Sequence, residues 1–164
     1  MNDKELAKLR EKARREESSN KAFLKKLKRW KNKRKLDDVV HELHDDLFED
    51  IDCLECANCC KSISPIIHEK DIQRIAKNLK MKPSEFTEAY LEKDAEGDYV
   101  FRQTPCPFLQ PDNYCSIYAI RPRSCREYPH TDRKNIQQTL DMILKNTFIC
   151  PVVYNIVMIL RKRF

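Results

Sequence analysis

The chain has 164 residues, 41% of them apolar and 35% charged, with a single glycine, eight cysteines and a formal net charge of +6. That length suits one domain and an appendage, and so polar a composition leaves a small core that would gain from metal staples. The charge is uneven: residues 1–35 hold 15 Lys or Arg against 5 Asp or Glu, so the basicity belongs to the N-terminal arm and the remaining residues are net acidic.

Residues 3–17 lack Gly and Pro and are rich in Leu, Ala, Lys, Arg and Glu, which predicts a helix with a thin stripe of Leu6, Leu9 and Ala13. Ser18-Ser19-Asn20 reads as a break and N-cap. A second helix then carries Phe23, Leu24, Leu27 and Trp30, and Leu36, Val40, Leu43, Leu47 and Ile51 continue the stripe at helical spacing. Its polar face is basic from Lys21 to Lys35 and wholly acidic from Asp37 to Asp52, so it would pair with a second copy or fold against itself. The basic half reads first as a solvated helix face, with contact to nucleic acid or an acidic protein partner as the functional alternative. His41 and His44 share a helix face among acidic neighbours, which suggests exposed side chains rather than ligands; His68 and His130 are weak candidates too.

The segment Cys53-Leu54-Glu55-Cys56-Ala57-Asn58-Cys59-Cys60 concentrates four thiols in eight residues. A CxxC pair sets two sulfurs on one side of a tight turn, the separation that tetrahedral Zn(II) or an iron–sulfur cluster needs. Cys59 extends the pattern to CxxCxxC, and three close thiolates with a remote Cys-Pro favour iron–sulfur slightly over zinc. Two such pairs exist, Cys106-Pro107 and Cys150-Pro151. An even number of cysteines also suits a disulfide framework, but the charged N-terminus has no apolar leader core, so a cytoplasmic, reduced setting is expected.

Ser64-Pro65 punctuates the chain. Glu69–Leu79 then predicts an amphipathic helix with Ile72, Ile75, Ala76 and Leu79 inward, and Lys82-Pro83-Ser84-Glu85 opens another that buries Phe86, Ala89, Tyr90 and Leu91. Gly97 reads as the turn into a strand at residues 99–102, with a second strand expected at Tyr114–Tyr118 after a turn in which Asn113 takes the left-handed conformation. Arg133–Phe148 predicts a helix with Ile136, Leu140, Ile143 and Leu144 on one face. Pro151 starts a last apolar helix, too short to span a bilayer.

Cys106, Cys115 and Cys125 lie too far apart for one local turn and meet only if the intervening loops fold over the four-thiol segment. Arg121, Arg123 and Arg126 would then lower thiol pKa values. Beside Cys125, Arg126, Tyr128 and His130 offer the candidate side chains for chemistry, in a chain with no Gly-rich nucleotide loop and no obvious nucleophile–base pair.

In order, CxxCxxCC, Asp71 with Arg74-Ile75-Ala76, CPFL, CSIY and RPRSCREYP make the chain resemble the YkgJ-like cysteine-cluster family, a zinc- or iron-chelating domain, over about residues 53–150. The resemblance implies that Cys53, Cys56, Cys59, Cys60, Cys106, Cys115, Cys125 and Cys150 are the metal ligands, for Zn(II) or an iron–sulfur cluster. Similar clusters in flagellin lysine methylases are associated with an iron–sulfur centre. A glycine often follows the second cysteine in that family; this chain has Ala57, which a positive φ would strain.

The expected architecture is therefore mainly α with a small β-hairpin: a helical arm over residues 1–50 and a metal-stapled cysteine-rich domain over 51–164. The expected function is metal binding, with the centre structural or electron-transferring. Alternatives are an oxidoreductase or protein-modifying enzyme built on a cluster, and a nucleic-acid- or partner-binding module with a structural zinc.

Overall fold

Buried aliphatic stripes and proline-marked helix starts account for most of the architecture. The computed structural model describes residues 3–164 and is 61% helical with one two-stranded antiparallel hairpin. The helices are α1 (Asp3–Leu27), α2 (Lys33–Glu49), α3 (Cys53–Cys56), α4 (Asn58–Ser62), α5 (Glu69–Asn78), α6 (Pro83–Tyr90), α7 (Arg123–Arg126), α8 (Leu140–Asn146) and α9 (Pro151–Arg163). The strands are β1 (Leu91–Lys93) and β2 (Tyr99–Phe101), and 3-10 turns cover Tyr118–Ile120 and Ile136–Gln138. No described helix is long and apolar enough to cross a membrane.

The chain divides into two compact units, one made of the chain up to Cys56 with Pro129–Phe164, the other of Ala57–Tyr128. This differs from the expected division at residue 50. The supposed arm is part of a core: Leu24 and Leu27 of α1 and Leu36, Val40 and Leu43 of α2 are buried with Ile136, Leu140, Ile143 and the apolar residues of α9.

Within this first unit α1 runs unbroken through Ser18-Ser19-Asn20. Asn20 caps nothing there. Its side chain is fully buried and its Oδ1 accepts from Arg161 Nη1 at 3.0 Å, while the same guanidinium meets Glu16 at 2.5 Å. The break falls instead at residues 28–32, where Asn32 accepts the Lys35 N–H at 3.0 Å as N-cap of α2. The end of α1 is closed from outside by Gln137, whose Nε2 donates to the Leu27 carbonyl at 2.8 Å, one of the orphan acceptors a helix end exposes, and to the Trp30 carbonyl in the following loop at 2.7 Å. Asp37 plays the matching part for the 3-10 turn, accepting the Asn135 and Ile136 N–H groups at 2.7 and 2.9 Å. In α9, Pro151 occupies the first turn and Val152, Val153, Ile156, Val157 and Leu160 are buried, as expected of a core helix.

The second unit centres on Phe86, fully buried among Ile67, Ile72, Ile75, Phe101 and Phe108. Pro83 starts α6 and Glu85 accepts the Lys82 N–H at 3.0 Å. Ala89 is exposed, contrary to expectation, and Leu91 buries from β1 rather than from the helix. The strand at Tyr99–Phe101 forms, but its partner is Leu91–Lys93, across a turn held by Asp94 and by Gly97 at φ 88°. Tyr114–Tyr118 forms no strand: a lone bridge joins Leu109 and Cys115, and the chain tightens into the 3-10 turn. Asn113 does take the left-handed conformation, φ 68°.

Candidate metal centre

In the first unit, α3 is a single helical turn, so its ends, Cys53 and Cys56, lie on one face by their i, i+3 spacing. Asp52 sets that turn, its side chain accepting the Leu54 N–H at 2.7 Å and its carbonyl the Cys56 N–H at 3.1 Å. Cys53 is exposed and Cys56 buried. Cys150 ends the loop before α9 and packs on the bundle core, its N–H donating to Asn146 O at 2.8 Å. Burial pushes the Cys150 thiol up to about 12, and the Cys53 and Cys56 charges add to the effect.

The second unit opens with Ala57 at φ 44°, the left-handed residue from which α4 starts. This is the position where an alanine was expected to be strained. Cys59 and Cys60 follow on α4 with sulfurs 3.9 Å apart. The Cys59 hydrogen bond lowers the Cys60 thiol to about 7 against the effect of burial, helped by Arg121 and Lys61. Cys106 reaches this helix through its backbone, N–H to Cys60 O at 2.8 Å. Burial pushes Cys106 up to about 11 and Cys125 to about 12 and raises Cys115, and the charge of Cys60 adds to the rise at all three.

Of the three arginines expected beside the thiols, Arg121 opposes the rise at Cys115 and Cys125, while it lies over the Tyr118 ring at 3.8 Å. Arg123 instead pairs with Glu127 at 2.5 Å, and Arg126 donates to the Arg121 carbonyl at 2.7 Å. What holds this loop is a pair whose role the sequence reading missed. Asp71, buried on α5, accepts from Arg74 at 2.6 Å and from the Arg123 N–H at 3.2 Å, and Arg74 donates on to the carbonyls of Ile120 (3.3 Å) and Arg121 (3.0 Å). The signal was present: Asp71 stands four residues before Ile75, hence on the apolar face, where a carboxylate needs a partner.

The histidines stand elsewhere. His41 and His44 are half-buried rather than exposed, bonded to the Arg133 carbonyl (2.9 Å) and the Thr131 hydroxyl (2.7 Å). His68 is exposed before α5; His130 is half-buried with φ 69°, and Tyr128 is half-buried.

All eight cysteines are free thiols, so the donor chemistry fits a thiophilic metal. Among the described residues no three His, Cys, Asp or Glu side chains are arranged to hold an ion as they stand, so binding requires the thiols of a set to close on it. A family model, CxxCxxCC, described as “Putative zinc- or iron-chelating domain”, matches residues 52–151, more than half of the chain and every cysteine in it. The chain belongs to this family. No curated protein and no solved structure matches the chain. The CxxCxxCC span leaves out α1 and α2 and ends at the first residue of α9, although all three supply the first unit's core.

Proposed function

We propose that this CxxCxxCC protein binds Zn(II) or an iron–sulfur centre through the thiolates of Cys53, Cys56, Cys59, Cys60, Cys106, Cys115, Cys125 and Cys150, in a structural or electron-transferring role. One observation carries the reading: eight reduced thiols fall into a set within each compact unit, with no disulfide among them. Burial holds Cys106, Cys115, Cys125 and Cys150 protonated, so a cation must displace their protons and binding strengthens as pH rises. When bound, such a centre supplies either a cross-link or a one-electron carrier. The chain's own contribution is the anchoring described above, with Asp71 and Arg74 fixing the loop that bears Cys125 and Arg121 offsetting thiolate charge.

Metal and acid-labile sulfide analysis of protein purified without air tests this. Iron with sulfide supports electron transfer or cluster-dependent chemistry. Colourless protein with stoichiometric zinc supports a structural centre. Absence of both overturns the proposal.

A second reading has its own support. Every Lys and Arg from Lys21 to Lys35 is exposed, with no carboxylate in that segment, as an interface for nucleic acid would require. Binding there should weaken steeply as salt rises; a flat salt titration removes the reading.

A further inference from the structure

The second unit has an open cavity that none of the cysteines lines. It measures 430 Å³ and lies between the first turn of α5 and α7, within the range of about 300–1,000 Å³ usual for small-molecule sites. Every residue lining it is polar or charged, so it suits an ion or a small polar molecule. Four of them, Lys70, Arg74, Arg123 and Arg126, are cations, against the two carboxylates of Glu69 and Asp71. Both carboxylates are already engaged, Asp71 by Arg74 and the Arg123 N–H and Glu69 by the Gln73 amide at 3.2 Å. Arg74 and Arg123 have carboxylate partners in Asp71 and Glu127, but Lys70 and Arg126 have none among the described residues. The i, i+3 spacing of Arg123 and Arg126 turns both to one side of α7. Arg74 adds an observation of a different kind. Its Nη2 serves Asp71 and the carbonyls of Ile120 and Arg121, whereas its Nε–H is buried with no acceptor among the described residues, a costly state for a donor.

We infer that this cavity binds a phosphate dianion, either free or as the monoester of a small polar molecule. A phosphoryl group brings up to two negative charges and three strong acceptor oxygens, enough to meet the Arg123 and Arg126 guanidiniums, the Lys70 ammonium and the Arg74 Nε–H together. A carboxylate has fewer oxygens and half the charge. Guanidinium forks match phosphate geometry, and lysine adds a point charge beside them. The lining carries a formal charge of +2, which a dianion balances. This inference goes beyond the metal-binding reading and does not depend on it.

The test titrates the full chain with glycerol 3-phosphate, inorganic phosphate and succinate at one ionic strength, read by calorimetry and by the arginine Nε–H resonances in NMR. A phosphate is expected to bind one per chain and to shift the Arg74 Nε–H resonance, with succinate weaker. Tighter binding of glycerol 3-phosphate assigns the occupant as a phosphorylated small molecule; equal or tighter binding of inorganic phosphate assigns it as the free ion. Lys70→Glu and Arg126→Ala should each weaken binding about tenfold or more. The Lys70 side chain makes no hydrogen bond among the described residues, so Lys70→Glu decides if circular dichroism shows Arg126→Ala unfolded. Charge reversal at Lys25, Lys26 and Arg29, in the other unit, should leave binding unchanged. The inference is overturned if neither phosphate binds, if succinate binds as tightly, if the Arg74 resonance stays in place, if neither Lys70→Glu nor Arg126→Ala weakens binding, or if charge reversal at Lys25, Lys26 and Arg29 abolishes it.

Discussion

Ala57 shows how one residue can carry a constraint that the cysteine pattern only implies. A left-handed φ of 44° costs an L-residue about 1–2 kcal/mol, yet the Ala57 methyl is buried and returns about 0.8 kcal/mol. Ala57→Gly should therefore change stability by no more than about 1 kcal/mol, since relief and cavity oppose each other. Ala57→Val, branched at Cβ, should lose about 2 kcal/mol or more in urea denaturation. Asp71 is the other single point on which the second unit depends. Asp71→Ala leaves Arg74 and the Arg123 N–H without their acceptor and should cost about 2–3 kcal/mol, at the low end for a broken pair because Arg74 is partly exposed. In the metal-free protein, Cys60 is poised to react before Cys125 and Cys150. With its pKa lowered to about 7 and those of Cys125 and Cys150 pushed up to about 12, its alkylation rate should climb with pH and level off above about 7, while theirs rises throughout; labelling kinetics across that range check this.

At the scale of elements, the periodicity of apolar residues located α5, α6 and α9 to within a residue or two, because each stripe meets a single core. It failed on the first two helices. Leu24 and Leu27 continue the stripe of Leu6, Leu9 and Ala13, and Asn20 is drawn into a buried contact with Arg161, so Ser18-Ser19-Asn20 does not stop the helix. Leu27 is the measurable consequence: Leu27→Ala should cost about 3 kcal/mol, whereas Lys25→Ala, on the exposed side of the same helix, should stay within about 0.5 kcal/mol. Deleting residues 1–35 to probe the basic face would strip Leu24 and Leu27 from the core. Charge reversal at Lys25, Lys26 and Arg29, all exposed, probes the face and leaves the packing in place. The misplaced strand has an equally local cause. Tyr114–Tyr118 has the composition of a strand, but within it only Cys115 pairs, in a single bridge to Leu109, and Ile117 buries from an irregular turn.

At the scale of the whole molecule, the two units have unequal means of standing without metal. The first has four helices around Leu, Ile and Val side chains. The second packs α5, α6 and a hairpin of three-residue strands around Phe86, but it also carries a long stretch, residues 103–122, with no regular element beyond a 3-10 turn, a construction that small domains usually reinforce with metal or disulfide. Chelation of the bound metal should accordingly accelerate amide hydrogen exchange across residues 103–128 and leave α2 and α9 protected, as read by mass spectrometry. Uniform acceleration along the chain would show that the metal supports both units equally.

Residue chemistry alone determined the helical class and the family, because CxxCxxCC, CPFL, CSIY and RPRSCREYP are local patterns whose residues and order can be read directly. The tertiary partners of the thiol-bearing segments were not legible, since Cys106 N–H meets the Cys60 carbonyl and the Arg123 N–H meets Asp71 across long stretches of chain, contacts that leave no periodic trace. Nor was the fate of the N-terminal arm: which face of α1 is buried depends on α8 and α9, more than a hundred residues away, and only tertiary packing decides between a solvated basic helix and the wall of a core.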